Sequence, residues 1–333
     1  MLNVVVVGAG TMGTVHAEAY QRMTQARLVA VVDIREDVGT ALADRYGARH
    51  YLRLEDALLQ EDVQVVDVCV PTYLHRGYVE QAARAKKHVI CEKPIALTAE
   101  DANAMMEVCA REGVRLLIGH VVRFFPEYQR AHHLVQLGAV GPVGTVRTFR
   151  GGAFPIAWND WYASADKSGT LITDLCIHDF DFLRWTFGEV ARVYAKSLWK
   201  QAFNRMDHAL VSLRFSSGVI AHVEGTWAAP SGFRTAFEIA GTGGIIQHAS
   251  DEATSIHTDL RASESGTTGV AVPESPLVKS PYQVELEHFI DCLITGHTPL
   301  VTAEDAYEAL RISLAALQSV QTGEPVFLRE GLQ

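Results

Sequence analysis

The sequence predicts an α/β protein in two parts, a doubly wound parallel sheet followed by a mainly antiparallel sheet. Three observations predict it. The first 120 residues alternate short β-rich runs with amphipathic stretches, the order that parallel strands with helical crossovers require. Those runs are almost entirely apolar rather than alternating, as strands covered on both faces are. Past residue 140 the strand-like segments are longer and follow one another in sequence order, the pattern of an antiparallel sheet.

The elements follow in order. Strands are expected at NVVVVG (3–8), RLVAVVD (27–33), VQVVDVCV (63–70), KHVICE (87–92) and RLLIGH (115–120). Helical patterns such as TMGTVHAEAYQRM and AEDANAMMEVCAREG lie between them. Thr98, with Asp101 three residues later, is a capping-box signal for the second. Strands are then expected at 143–152, 192–200, 208–229 and 234–248, with SSG (216–218) turning a hairpin inside the third. The Ser/Gly/Pro-rich run 262–276 reads as a loop. Helices at about 282–295 and 303–320 close the chain, the latter capped by Thr302. The boundary falls near residue 120, giving domains 1–120 and 121–333.

Composition narrows the function. Hydrophobic residues are 48% and charged residues 20% of the 333, which places the chain among folded globular proteins. The net charge is −10 and no Lys/Arg-rich run occurs. That argues against nucleic-acid or anionic-membrane partners, which need concentrated basic surface. No apolar run approaches a membrane span, and no basic leader precedes LNVVVVGAG. Cys69, Cys91, Cys109, Cys176 and Cys292 are odd in number and far apart, so they read as reduced, buried thiols. A soluble cytoplasmic protein is expected.

VVVVGAGTMG carries G-x-G-x-x-G at Gly8, Gly10 and Gly13, with Thr11 and Met12 between the last two. It follows a strand, opens a helix, and is followed by Asp33 at the end of the second strand. In that setting it is a dinucleotide-binding signature, placing the pyrophosphate at a helix N-terminus in a Rossmann domain. Asp33 can accept from the ribose hydroxyls and repels a 2′-phosphate, so NAD is expected over NADP. Ile34 and Arg35 follow it, and an arginine there can tolerate a phosphate. CVPTYLHRGYV opens at another strand end, which makes Pro71, Thr72 and His75 cofactor-contact candidates. His75 reads equally well as a helix-capping residue.

Two segments remain. CEKPIALTAE places Glu92 and Lys93 at the end of a strand beside the nucleotide crevice, with Pro94 stiffening the backbone that aims the lysine. DLCIHDFD (174–181) puts Asp174 and His178 one turn apart on one helix face, with Asp181 further along it. A structural ion pair is the plainer reading of Asp174 and His178. Asp174 and His178 also offer two metal ligands, but no third is indicated among the fourteen histidines, so no metal is expected. GAGTMG, CEKPIALT, RFFPEY and SGTLITDLCIHDFDFLRW together resemble the glucose–fructose oxidoreductase, inositol dehydrogenase and rhizopine-catabolism family of NAD(P)-dependent oxidoreductases.

That resemblance, which spans nearly the whole chain, implies a large open-faced, mainly antiparallel sheet in the second domain. It implies Lys93, Asp174 and His178 as the catalytic group and Arg123 and Asp181 as substrate contacts. It makes Lys93–Pro94 a candidate cis peptide. The strands at 208–229 and 234–248 carry many apolar residues for a sheet with one open side, so a homodimer or homotetramer joined through that face is expected. Oxidation of a secondary alcohol of a sugar, an inositol or a related polyol is the activity implied. His178 can take the hydroxyl proton, since its ordinary pKa lies near working pH. Asp174 can orient it, and Lys93 can stabilise charge on the reacting oxygen. Thr170 stands where relatives often carry glycine, which bears on substrate identity. Asn159 can bind a hydroxyl, and Trp158 and Trp161 can stack on a sugar ring or serve as core aromatics. An NAD-dependent glycosidase and a non-catalytic nucleotide sensor are the competing readings.

Overall fold

A computed structural model describes residues 1–198, 205–251 and 279–328. The run 262–276, expected as a loop, lies outside the described residues, as do the last two residues of the strand expected at 192–200. The chain divides into two compact units, Met1–Phe124 with Glu274–Tyr307, and Phe125–Pro273 with Glu308–Gln333.

The first unit opens with β1 (Leu2–Val7), α1 (Thr11–Gln21), β2 (Ala26–Val32), α2 (Glu36–Tyr46), β3 (Arg49–Tyr51) and α3 (Leu54–Gln60). It continues with β4 (Val65–Val68), α4 (His75–Arg84), β5 (His88–Glu92), α5 (Ala99–Glu112) and β6 (Leu116–Gly119). The six strands form one sheet in the order β3-β2-β1-β4-β5-β6, parallel throughout. The order reverses between β1 and β4, so the carboxyl ends of these strands frame the crevice where such sheets bind ligands. Val4 to Val7 and Val65, Val66 and Val68 are buried, which accounts for the unbroken apolar runs. The edge strand β3 is three residues long and too short to show a period in sequence. Thr98 caps α5 by accepting from the Asp101 amide at 3.0 Å, as the capping box predicts.

The second unit holds α6 (Pro126–Gln136), β7 (Val143–Ala153), α7 (Ala165–Ser168), α8 (Thr170–Asp174), α9 (Ile177–Phe187) and β8 (Val190–Ser197). The strands β9 (His208–Phe215), β10 (Ile220–Thr226), β11 (Ala228–Gly241) and β12 (Gly244–Ala249) follow. Its sheet runs β12-β11-β7-β10-β9-β8-β13, where β13 is the late strand Val326–Phe327. Every neighbouring pair is antiparallel except β7 with β10. One face is covered and carries Val193, Ala195, Val211, Leu213, Ala221 and Val223, all buried. The alternate residues Tyr194, Leu210 and Ile220 are exposed, so the sheet has an open face. The hairpin at 216–218 joins β9 and β10. The strand expected at 234–248 is instead two strands, folded back at Thr242–Gly243 so that Gly241 pairs with Gly244.

Two helices close the chain, α10 (Pro281–Thr295) and α11 (Ala303–Thr322). Thr302 caps α11, accepting from the Asp305 amide at 3.0 Å while Asp305 accepts from the Thr302 amide at 3.2 Å. Beside the expected division into 1–120 and 121–333, the first compact unit also takes in residues 274–307. Leu286, Phe289 and Ile290 of α10 share one core with Val4, Val31 and Ile90, so this late helix belongs to the first unit. Its apolar face needed a sheet to cover, and periodicity names the face without naming the sheet.

Candidate active site

The glycine turn follows from local sterics. Gly8 has φ +101°, and a Cβ there would lie 2.7 Å from the Cys69 carbonyl oxygen. A Cβ on Gly13 would strike the Gly8 carbonyl, whereas one on Gly10 would meet nothing within 4 Å. The turn is thus closed on its inner side and open at Gly10. No side chain caps α1, which leaves its first amides available to a phosphate. Asp33, beyond β2, joins this turn by accepting from Ala9 N–H at 2.7 Å. Its carboxylate also takes the Arg35 amide at 2.9 Å and the Arg35 guanidinium at 2.9 and 2.8 Å. Burial alone would raise the Asp33 pKa, but the Arg35 and Ala9 hydrogen bonds bring it below the ordinary value. Ile34 is 62% exposed beside it, an apolar surface suited to an adenine ring. These residues fit a dinucleotide, held by the Gly8–Gly13 turn at its phosphates and by Asp33 at a ribose.

At the neighbouring strand ends, Thr72 is buried and Lys93 half-buried. The Lys93–Pro94 peptide is cis. Glu92 accepts from the Lys93 amide through Oε2 at 3.1 Å and faces His16 Nε2 through Oε1 at 3.1 Å. His75 is the first residue of α4. It is buried, with Nδ1 3.0 Å from the Pro94 carbonyl and Nε2 3.0 Å from that of Val70, so its ring ties the end of β4 to the loop after β5. Arg123 is buried as well. Its side chain is 2% exposed, donates to the Leu300 carbonyl at 2.8 Å and pairs with Asp305 at 3.2 Å. It fastens the segment before α11.

In the second unit Asp174 ends α8 and His178 is the second residue of α9. The continuous helix expected across them is broken. Leu175 and Cys176 amides both donate to the Leu171 carbonyl, at 2.9 and 3.1 Å, which widens one turn. Gly225 of β10 makes room for the joint, since a Cβ there would strike the Cys176 sulfur. Asp174 and Asp181 are buried and His178 is half-buried. Asp179 is spent within the core. It accepts from Arg150 at 2.8 Å, and Arg150 also donates to the Tyr128 hydroxyl at 3.2 Å. Thr170 is buried with φ +69°, a left-handed conformation that costs a β-branched residue on the order of 1–3 kcal/mol. Asn159 is exposed with φ +52°, Trp158 is exposed, and Trp161 stacks on Tyr162 at 3.9 Å.

Comparison with known proteins decides the family. Residues 2–120 match "Oxidoreductase family, NAD-binding Rossmann fold" and residues 128–247 match "GFO/IDH/MocA C-terminal domain". The chain belongs to the GFO/IDH/MocA oxidoreductase family. Among its relatives is the myo-inositol 2-dehydrogenase of Thermotoga maritima, 32% identical over 98% of both chains. Another is the inositol 2-dehydrogenase of Rhizobium meliloti, 30% identical over 94% of this chain and 95% of the relative. The solved structure of GenD2 from gentamicin A biosynthesis, in complex with NAD, superposes with a TM-score of 0.86 at 29% identity, covering 98% of this chain and 96% of that one. This GFO/IDH/MocA protein is therefore an NAD-dependent oxidoreductase. No helix among the described residues is long and apolar enough to cross a membrane.

Sequence reasoning passed over His16 and Asp67, both fully buried in the first unit. The signal was present, since Asp67 is an acidic residue in the middle of the apolar run VVDVCV, and a buried charge demands a partner. Nothing local indicated that the partner lies 51 residues earlier.

Proposed function

We propose that the protein is an NAD-dependent dehydrogenase that oxidises a secondary alcohol of an inositol, a sugar or a related polyol. The carrying observation is Lys93 at the carboxyl end of β5, on the edge that holds the glycine turn and Asp33, in a chain 32% identical to a myo-inositol 2-dehydrogenase. Bound NAD supplies the hydride acceptor. His178 takes the hydroxyl proton as the carbon loses hydride, and the alcohol becomes a ketone. Lys93 donates to that oxygen, stabilising the charge that develops on it. Asp174 orients the imidazole, and Asp181 and Asn159 hold neighbouring hydroxyls. Gly8, Gly10, Thr11, Met12 and Gly13 hold the pyrophosphate; Asp33, Ile34 and Arg35 hold the adenosine end; Pro71 and Thr72 line the nicotinamide end. The first unit is the nucleotide domain and the second the substrate and assembly domain. The five free cysteines fit a reducing cytoplasmic setting.

The test is a panel of inositols, free sugars and glycosides incubated with NAD, reading NADH absorbance and product. Net NADH with at least one cyclitol or free sugar is expected. Aglycone release without net NADH would replace this reading with the glycosidase one. Tight NADH binding with no conversion across the panel would replace it with the sensor.

A further inference from the structure

The first unit contains a closed polar cluster that no step above uses. His16, on the inner face of α1, and Asp67, in β4, are both 0% exposed. His16 Nδ1 lies 2.8 Å from Asp67 Oδ2, and its Nε2 lies 3.1 Å from Glu92 Oε1. The Tyr20 hydroxyl donates to the same Asp67 oxygen at 2.8 Å. The Cys69 sulfur lies 3.3 Å from His16 Nδ1. Glu92 Oε2 in turn accepts the Lys93 amide at 3.1 Å. A path of hydrogen bonds thus runs from the helix behind the glycine turn, through two strands, to the backbone of the lysine.

The protonation state follows from geometry. An ionised carboxylate only accepts. An imidazole facing a carboxylate on each nitrogen must carry a proton on both, because a neutral ring would set its lone pair against an oxygen. His16 is therefore an imidazolium between two carboxylates, each of which would otherwise be an uncompensated buried charge. Burial pushes the ring pKa down, and Asp67 and the hydrogen bonds push it further up, for a net rise. Burial pushes Glu92 up, and the His16 hydrogen bond and charge bring it below the ordinary value.

We propose that His16 is a positioning residue for Lys93: anchored on Asp67, its imidazolium keeps Glu92 ionised and in one orientation, and Glu92 fixes the backbone of Lys93. The proposal rests on the reading of Lys93 as the group that meets the reacting oxygen. The groups facing the cluster are Asp67 and Cys69 at β4, Tyr20 on α1, Glu285 of α10, which acts on Tyr20, and, around Glu92 at β5, Cys91, Lys93 and His75 of α4. Glu92 connects directly to Lys93 through the Lys93 amide.

The test uses the full chain with NAD and the polyol it oxidises, comparing His16→Gln, Glu92→Gln, the double variant and Lys93→Met. His16→Gln is expected to bind NADH within about threefold of wild type and to lose kcat by roughly 10–100-fold, with a smaller change in KM. Its kcat/KM profile should fall more steeply in acid than that of the wild type, because Glu92 protonates more readily without the imidazolium and its titration adds to that of His178. Glu92→Gln should lose kcat similarly, and the double variant should be no worse than either single one, since both cut the same path. Multiplying losses, or a His16→Gln enzyme with wild-type kcat and pH profile while Lys93→Met is inactive, would overturn the proposal and leave the role of Lys93 intact. An active Lys93→Met would overturn both. If His16→Gln does not fold, Glu92→Gln decides: a loss of kcat with NADH binding retained sustains the proposal, and unchanged kcat overturns it.

Discussion

Asp33 receives four donors, one from Ala9 and three from Arg35, and its behaviour is decided by that shell. In the proposed role the carboxylate accepts from a ribose and repels a 2′-phosphate, so kcat/KM should be higher with NAD than with NADP. Asp33→Ser should narrow the gap, and equal or better use of NADP by the wild type would count against this role. The Asp33–Arg35 pair also sets a pH dependence. Because the folded pKa of Asp33 lies below the ordinary 3.8, its stabilisation is present above that value and lost as pH falls through the folded one. Arg35→Ala should therefore cost roughly 0.5–1 kcal/mol at neutral pH, since Arg35 is partly exposed and screened, and progressively less in acid, as read by urea unfolding. His178→Ala should lower kcat by roughly 10²–10⁴-fold with NADH binding preserved. A near-normal kcat in that variant, with Asp174→Asn inactive, would pass the base role to a carboxylate or to Lys93. The glycine turn was legible because its chemistry is local. The internal partners of Arg123 were not legible because they are remote, 177 and 182 positions away.

Among the elements, α10 and the α8–α9 joint show where periodicity ends. The helical pattern at 282–295 was legible in length and face, but its partner was not. Phe289 is fully buried among residues of β1, β2 and β5. Phe289→Ala should cost about 3–5 kcal/mol, the usual loss for a large core aromatic. In a urea titration NADH binding should then fail at lower denaturant than in the wild type; an unchanged midpoint would mean that α10 does not stabilise the nucleotide unit. The break after Asp174 was invisible because Thr170 to Phe187 reads as one helix. Its cause lies on another element, where Gly225 admits the Cys176 side chain. The Thr242–Gly243 turn was legible in principle, as a glycine-containing interruption of an alternating run.

On the scale of the whole molecule, the second sheet leaves Tyr194, Leu210 and Ile220 exposed on strands whose other face is core. An apolar surface of this kind normally marks an interface, and a symmetric homodimer or homotetramer joined through it is expected. Light scattering at micromolar concentration should give a multiple of 36.5 kDa, and Leu210→Lys with Ile220→Lys should shift the mass downward. A monomeric mass in the wild type would rule this out. The sequence by itself determined the parallel sheet, the nucleotide turn and the place of Lys93 after β5, because each is written in a local pattern of period, glycine or strand end. Only the tertiary structure decided that α10 completes the first unit, that Arg123, His75 and Asp179 are spent on internal bonds, and that His16 stands between Asp67 and Glu92. The physical reason is common to all of them. A buried polar or apolar group must find a partner, and a one-dimensional sequence states the need without stating which distant residue meets it.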